Sequence, residues 1–292
     1  MFQKKPVKTW STPVNSENSG TIPCALCSGK NFKLALKCDG FGYVRCTSCG
    51  LYQINPQPLD TEVKQRYSGK YGQDYLSYEI ENETNFLDLQ LLALKDAGFD
   101  GVESEIFSNE KEPRILDVGC ATGALLEVLR NRRWRVTGVE ISPCADYAHD
   151  KRNLDIRKLP LEENHFASGY FDVVHASHLI EHLNNPRSFL EESARILKQH
   201  GRLFITTPNI SGFQARLLGS RWRSAIFDHL YLFSIKTLKS ILAKSGFTVE
   251  GVYTWGGIAS GLAPARIKSV IDKAAKKFGH GDVMIARARK NE

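Results

Sequence analysis

No stretch of this chain approaches the ~18 consecutive apolar residues of a membrane-spanning helix, and its first residues carry charges and prolines where an export signal has an apolar core. A cytoplasmic location is therefore expected. Internal repeats are also lacking, which removes solenoids and propellers. Neither sign of charge dominates. The 39 Lys and Arg against 32 Asp and Glu leave +7, a balance that admits acidic partners, nucleic acid included, without selecting them. What is present is ordinary for a soluble protein: 292 residues, 42% hydrophobic and 24% charged, enough for one large core with a small appendage.

Patterning divides the chain into four parts. Residues 1–20 are polar without periodicity and read as a disordered tail. Residues 21–57 hold five of the seven cysteines. Residues 58–112 read as a helical connector, with an amphipathic helix from Ile80 to Phe99 carrying Phe86, Leu87, Leu91, Leu92 and Leu94, then an acidic, polar boundary before Pro113. From 113 to 292, apolar runs at Ile115 to Val118, Val136 to Val139, Asp155 to Arg157, Val173 to Ala176 and Leu203 to Thr206 alternate with helical patterns. Strands interleaved with helices predict an α/β fold whose parallel sheet is covered on both faces. Pro264 to Phe278 reads as a basic helix with no evident place.

Cys24-Ala-Leu-Cys27 and Cys46-Thr-Ser-Cys49 are separated by 18 residues, within the spacing of a four-thiolate zinc ribbon. Each pair suits a tight turn, and four sulfurs closed around Zn²⁺ leave no position for water, so this metal is expected to be structural. The alternative is two disulfides, which a reducing compartment disfavours. Cys38, Cys120 and Cys144 read as small hydrophobes. The basic run RNRRWR (130–135) suits either a helix carboxyl-terminal end or a phosphate patch.

Ile115-Leu-Asp117-Val-Gly119-Cys120-Ala-Thr-Gly123 is an apolar strand opening onto a glycine turn and a helix. Glycines at 119 and 123 let backbone approach a ligand closely, and Glu140, 21 residues after Gly119, falls where an acid ending the next strand accepts hydrogen bonds from a ribose diol. The pyrophosphate-binding pattern G-x-G-x-x-G is absent, so a nucleoside other than a dinucleotide is indicated.

This turn resembles the first motif of the class I S-adenosylmethionine-dependent methyltransferases. FDVVHASHLIEHLNNP (171–186), RILKQHGRLFITTPN (195–209) and DHLYLFSIKTLKSILAKSGF (228–247) resemble that family's later strands and helices, so roughly residues 113–289 are covered in order. The cysteine module before such a core is similar to a recurrent bacterial arrangement. The resemblance implies a seven-stranded, Rossmann-like sheet, mostly parallel with its last strand antiparallel, and an antiparallel edge pair from Phe247 to Tyr253 and Val283 to Arg287. It implies S-adenosyl-L-methionine as methyl donor. Asp117 would order the turn and the donor's amino-acid end, with Gly119, Cys120 and Gly123 beneath it. Glu140 would take the ribose, Ile141 and Leu161 would wall the adenine, with Asp155 as the alternative adenine contact, and Ser177 and His178 would border the sulfonium.

The acceptor is expected past the fourth strand of that core, where His178, Glu181, His182 and His229 gather. Similar sets in small-RNA 2'-O-methyltransferases and ubiquinone-pathway O-methyltransferases bind a divalent metal, although His178 stands here for a glutamate. A second divalent metal, a histidine acting as general base, and plain structural contacts are all open readings. Residues 210–233, with Phe213, Arg221, Trp222 and Arg223, would form a lid-like insertion over the acceptor or an amphipathic helix packed on the sheet. The resemblance favours a small-molecule or glycan-type acceptor, methylated at oxygen. An RNA methyltransferase is the runner-up, because some rRNA enzymes place a cysteine module before the same core. A non-catalytic binding protein is third. Neither the acceptor's identity nor the oligomeric state is legible.

Overall fold

The computed structural model describes residues 22–59, 61–62, 69–257 and 265–292; the expected tail at 1–20 lies outside them. Three short antiparallel strands, β1 (Phe32–Lys37), β2 (Gly42–Cys46) and β3 (Tyr52–Ile54), carry the cysteine region. Two helices follow, α1 (Lys70–Asp96) and α2 (Phe99–Asn109). The helix expected at 80–99 thus starts earlier, and the stretch expected to be an irregular boundary is helical. Gly98, at φ +77°, makes the break between them. Phe99 and Val102 then fall on one face and are buried, Phe99 packing 5.5 Å from Phe204 and 5.9 Å from Trp134 between ring centroids.

The core alternates as read: β4 (Arg114–Val118), α3 (Ala124–Asn131), β5 (Arg135–Val139), α4 (Cys144–Arg152), β6 (Ile156–Arg157), β7 (Phe171–Ser177), α5 (Pro186–Ile196), β8 (Leu197–Pro208), α6 (Phe213–Leu218), β9 (Tyr231–Leu232), α7 (Ile235–Lys244), β10 (Phe247–Trp255), α8 (Ala265–Phe278) and β11 (Val283–Lys290). Local chemistry starts these helices where they start. Asn185 accepts the Ser188 N–H ahead of Pro186 at the first turn of α5, and Ser234 with Thr237 forms a reciprocal cap on α7. α8, which had no evident place, packs against β10, where Thr254 Oγ1 donates to the Ala275 carbonyl at 3.3 Å.

Seven strands form one sheet in the order β10-β11-β8-β7-β4-β5-β6. β7, β8, β5 and β6 run parallel to their neighbours from β4 outwards, while β11 is antiparallel to both β8 and β10. The seven-stranded, mostly parallel sheet with an antiparallel last strand is therefore the observed architecture. Alternate residues feed opposite layers: Leu116, Val174 and Met284 face α5 and α7, while Ile115, Val173, Phe204 and Ile285 face α1, α2 and α3. From β4 the chain winds to one side through β5 and β6, then crosses to β7 on the other. That reversal opens a crevice beyond the carboxyl ends of β4 and β7, the place where open α/β sheets bind ligands.

β9 belongs to neither the parallel sheet nor a loop: it is the fourth strand of the cysteine-bearing sheet, paired with β3 through Tyr52 opposite Leu232 and Gln53 opposite Tyr231. Cys24, Leu26, Cys46 and Leu51 share one core cluster with Tyr231, Phe233 and Ile241. The small sheet is thereby fused to the large one.

Candidate active site

The glycine turn hangs from β4 at the crevice. Gly119, Ala121 and Gly123 all have positive φ (+75°, +46° and +76°), a left-handed backbone that coils the chain tightly into α3. Its amide groups are spoken for. Gly119 and Cys120 donate to the Val139 carbonyl (2.8 and 3.2 Å), Ala121 to Glu140 Oε2 (3.0 Å) and Gly123 to the Cys120 carbonyl (2.9 Å). A turn with these donors committed is no anion nest, in keeping with the missing pyrophosphate pattern. At Gly123 the reason for glycine is packing: a Cβ there would lie 2.6 Å from Leu154 Cδ1 and 3.1 Å from Ala148 Cβ. Cys120 likewise turns its thiol into the core beside Leu126, Ala148 and Leu154.

Glu140 stands at the tip of β5, buried, its Oε2 on the Ala121 N–H and its Oε1 on the Ser142 N–H (2.8 Å). Each oxygen accepts one backbone donor and has capacity for one more. Beside it Ile141 is exposed, while Leu161 is buried at the start of a 3-10 turn (Leu161–Glu163). Asp117 lies on β4 just before the turn. Its Oδ1 lies 2.7 Å from His175 Nδ1, directly across from it on β7, and both side chains are buried.

The connector also reaches the crevice. α1 is pinned at one end by Tyr71 Oη donating to Asp228 Oδ2 (3.3 Å) and further along by Glu83 paired with Arg152 (2.9 Å). Between the pins, one helical turn apart, Tyr75 and Glu79 lie on the same stripe. Burial pushes the Glu79 carboxyl up to about 7, against a hydrogen bond from Tyr75 and with the nearby Glu140 charge adding to the rise. Their spacing of four from Tyr71 to Glu83 was the available sequence signal for this face.

At the end of β7, His178 has φ +52° and donates its N–H to the Thr206 carbonyl; its ring is half-exposed. Glu181 is wholly buried, with His178 Nδ1 3.2 Å from Oε1 and the Thr207 hydroxyl donating to Oε2 at 3.0 Å. Although burial opposes it, the hydrogen bond and charge of His178, followed by His182 and His229, hold this carboxyl down to about 2. His182 Nδ1 lies 2.8 Å from the Asp228 carbonyl and His229 Nδ1 2.8 Å from the Ser224 carbonyl. A carbonyl only accepts, so each Nδ1 carries a proton, and the lone pair of the unprotonated ring lies on Nε2. Burial, then the neighbouring His182, lowers His229 to about 3. The rings meet edge to face with centroids 4.7 Å apart. Ligand atoms of Glu181, His182 and His229 lie within 4.8 Å of one another. The set expected to hold three histidines thus holds two, and His178 touches it through Glu181 alone.

The four cysteines do converge: all four sulfurs lie within 4.8 Å, with Cys24 and Cys49 3.4 Å apart and Cys27 and Cys46 3.5 Å. No pair is at the ~2.05 Å of a disulfide, and sulfurs around a tetrahedral Zn²⁺ stand about 3.8 Å apart, so the donor set fits that ion. Burial pushes the Cys24 thiol up to about 11 and raises Cys49, whereas, against burial, the Cys49 and Ser48 backbone N–H groups and then Cys27 bring Cys46 down to about 6.

Glu140 at the tip of β5 and His178 at the end of β7 both act on the Glu79 carboxyl of α1, one raising it and the other lowering it, which sets the three at the same end of the sheet. Residues 93–252 match the methyltransferase-domain family. The chain belongs to that family. This methyltransferase domain is 26% identical over 163 residues to the ubiquinone biosynthesis O-methyltransferase of Nitrosomonas europaea, covering 53% of this chain and 65% of that one. It is 35% identical over 103 residues to the enzyme of the same name from Dechloromonas aromatica, covering 33% and 44%. The matched parts thus span less than two thirds of these relatives. A solved S-adenosylmethionine-dependent methyltransferase from Archaeoglobus fulgidus superposes with a TM-score of 0.52 at 21% identity, over 73% of this chain and 99% of that one, a likeness of fold. Among the described residues no helix is long and apolar enough to cross a membrane.

Two other expected features have structural partners. The methyltransferase domain pairs three of the four arginines of the 130–135 run within the chain, Arg130 on the Arg152 and Asn153 carbonyls, Arg132 on Asp100 and Glu103, Arg135 on Glu112. In the 210–233 insertion, Trp222 is buried and donates to Asp282, which also pairs with Arg223 at 2.6 Å. His175, Thr207, Tyr75 and Glu79 are site neighbours that sequence reading did not single out.

Proposed function

We propose that the protein transfers a methyl group from S-adenosylmethionine to a hydroxyl of a small molecule. The observation that carries this reading is Glu140, buried at a strand tip, each of whose oxygens takes one backbone N–H and has no other hydrogen-bond partner among the described residues. Glu140 would bind the ribose diol by two charge-assisted hydrogen bonds. The glycine turn, Ser177 and His178 would border the donor's amino-acid end, and Ile141 and Leu161 its adenine. The names of the relatives support oxygen as the methylated atom.

Methyl transfer needs in-line approach and removal of the acceptor's proton. With Nδ1 protonated, Nε2 of His182 or His229 is the atom to take that proton as the O–C bond forms and the C–S bond breaks. In the alternative use of the same lone pairs, Glu181, His182 and His229 would hold a divalent cation, which supplies Lewis-acid polarisation of a hydroxyl; two nitrogens and one carboxylate suit Zn²⁺, Fe²⁺ or Mn²⁺ better than Mg²⁺. Zn²⁺ at Cys24, Cys27, Cys46 and Cys49 would be structural. The test is calorimetry with S-adenosylmethionine, then transfer of labelled methyl to pooled hydroxylated small molecules, with mass spectrometry of the product. No donor binding by the intact chain would overturn the proposal.

A further inference from the structure

His229 rides on a segment with little structure of its own. Residues 222–230 make successive turns, Ala225 N–H to the Trp222 carbonyl (2.9 Å) and His229 N–H to the Ile226 carbonyl (3.1 Å), and their shape depends on what they pack against. Trp222 and Arg223 are held by Asp282, and the Asp228 carbonyl by His182; around His229 the partner is the cysteine-bearing sheet. Tyr43, on β2, is wholly buried, and its hydroxyl lies 2.7 Å from the Ile226 carbonyl and 2.7 Å from the His229 carbonyl. One hydroxyl proton shared between the two oxygens fixes the width of the turn that ends in His229. Phe41 packs edge-on against Phe227 at 5.6 Å, and just past His229 the Ile54 N–H holds the Leu230 carbonyl at 2.9 Å before β3 pairs with β9. The same strand that presents Tyr43 ends in Cys46.

We infer that Tyr43 is the positioning residue for His229, and that metal held by the four cysteines, by fixing β2 at Cys46, sets where His229 stands relative to Glu181 and His182. The inference rests on reading His229 as part of the acceptor-side site, and it makes the cysteine module a brace of that site. A cysteine module serving only to recruit a partner would need no contact with the His229 backbone, whereas here the contacts lie on both sides of it.

Carbethoxylation by diethyl pyrocarbonate, followed residue by residue by mass spectrometry, reports access to His229 without any acceptor. In zinc-loaded full-length protein His229 reacts slowly. Tyr43→Phe, which removes only the hydroxyl, is expected to speed its modification about tenfold, and Cys49→Ser, which disables the cysteine site alone, at least as much. His175, paired with Asp117 inside the large sheet, stays slow in both and serves as the control. An unchanged His229 rate in Tyr43→Phe overturns the proposal, and so does acceleration at His175 equal to that at His229, which marks general loosening. If Tyr43→Phe does not fold, Cys49→Ser decides by the same two rates. Donor binding is scored separately by calorimetry: a chain that binds no S-adenosylmethionine yet shows these rates loses the proposed function and keeps the brace.

Discussion

The four-cysteine cluster and the glutamate–histidine cluster are both groups of potential metal ligands, and they are assembled in opposite ways. The cysteines come from two tight turns within one short stretch, offer only sulfur, and close on one another. Glu181 and His182 follow β7, whereas His229 arrives 47 residues after His182 on a segment held by carbonyl contacts and by Tyr43. A closed, soft donor set stabilises a fold; an open set of two nitrogens and a carboxylate is suited to chemistry. The difference teaches that the first cluster is built to be rigid and the second to be positioned, and that the small sheet links them.

The sharpest way to break this contrast is to disable the cysteines. Cys46→Ser is expected to lower the thermal midpoint by roughly 10 °C or more, since metal binding at such a site is folding free energy. Atomic absorption should register the loss of one zinc per chain, and unchanged zinc content and midpoint would leave the cluster without a structural role. Next in size, His182→Ala and His229→Ala should each reduce labelled-methyl transfer about 10²–10⁴-fold, with donor affinity and the cysteine-bound zinc preserved. Wild-type turnover in both would remove the second cluster from catalysis.

A substitution outside both clusters sharpens the comparison. Glu140→Gln should weaken S-adenosylhomocysteine binding by calorimetry about 10- to 100-fold, the scale of charge-assisted hydrogen bonds to a ribose, and leave both metal clusters intact. An affinity equal to wild type would mean that the donor is held elsewhere. The smallest effect concerns Glu79. Its folded carboxyl sits near 7 against an ordinary 4.5, so the folded state holds the proton more tightly than the unfolded chain does. The stability it contributes is complete below about 4.5 and is lost as pH rises through about 7, on the order of 1–2 kcal/mol after allowing for partial solvent contact. Denaturant melts of Glu79→Gln between pH 5 and 8 should lack that decline, and equal slopes in both proteins would place Glu79 outside the crevice.

Much of the sheet was legible because alternation and apolar runs are periodic, and a strand buried on both faces announces itself as an uninterrupted run such as Leu203-Phe204-Ile205. Less of the site was. Gly119 and Gly123 were correctly located in a turn, yet the requirement at Gly123 comes from Leu154 and Ala148, more than 20 residues away. Asp117 stands where the pattern put it, but its carboxylate is taken by His175, whose place opposite it follows only from the pairing of β4 with β7. Within the helical connector, α2 was not set apart from α1, because the break at Gly98 and an acidic surface masked a short apolar stripe at Phe99, Val102 and Ile106.

The chain by itself determined what is local or periodic: two cysteine pairs at zinc-binding spacing, a strand-turn-helix with an acid on the next strand, and the alternation that makes an α/β sheet. Tertiary structure alone decided that Tyr43 would hold His229, that β9 would join the cysteine-bearing sheet, that Glu79 would face Glu140, and that His178 would stand outside the metal-capable trio. These contacts join residues tens to nearly two hundred positions apart. Their partners are chosen by packing of whole layers, which no short window of sequence records.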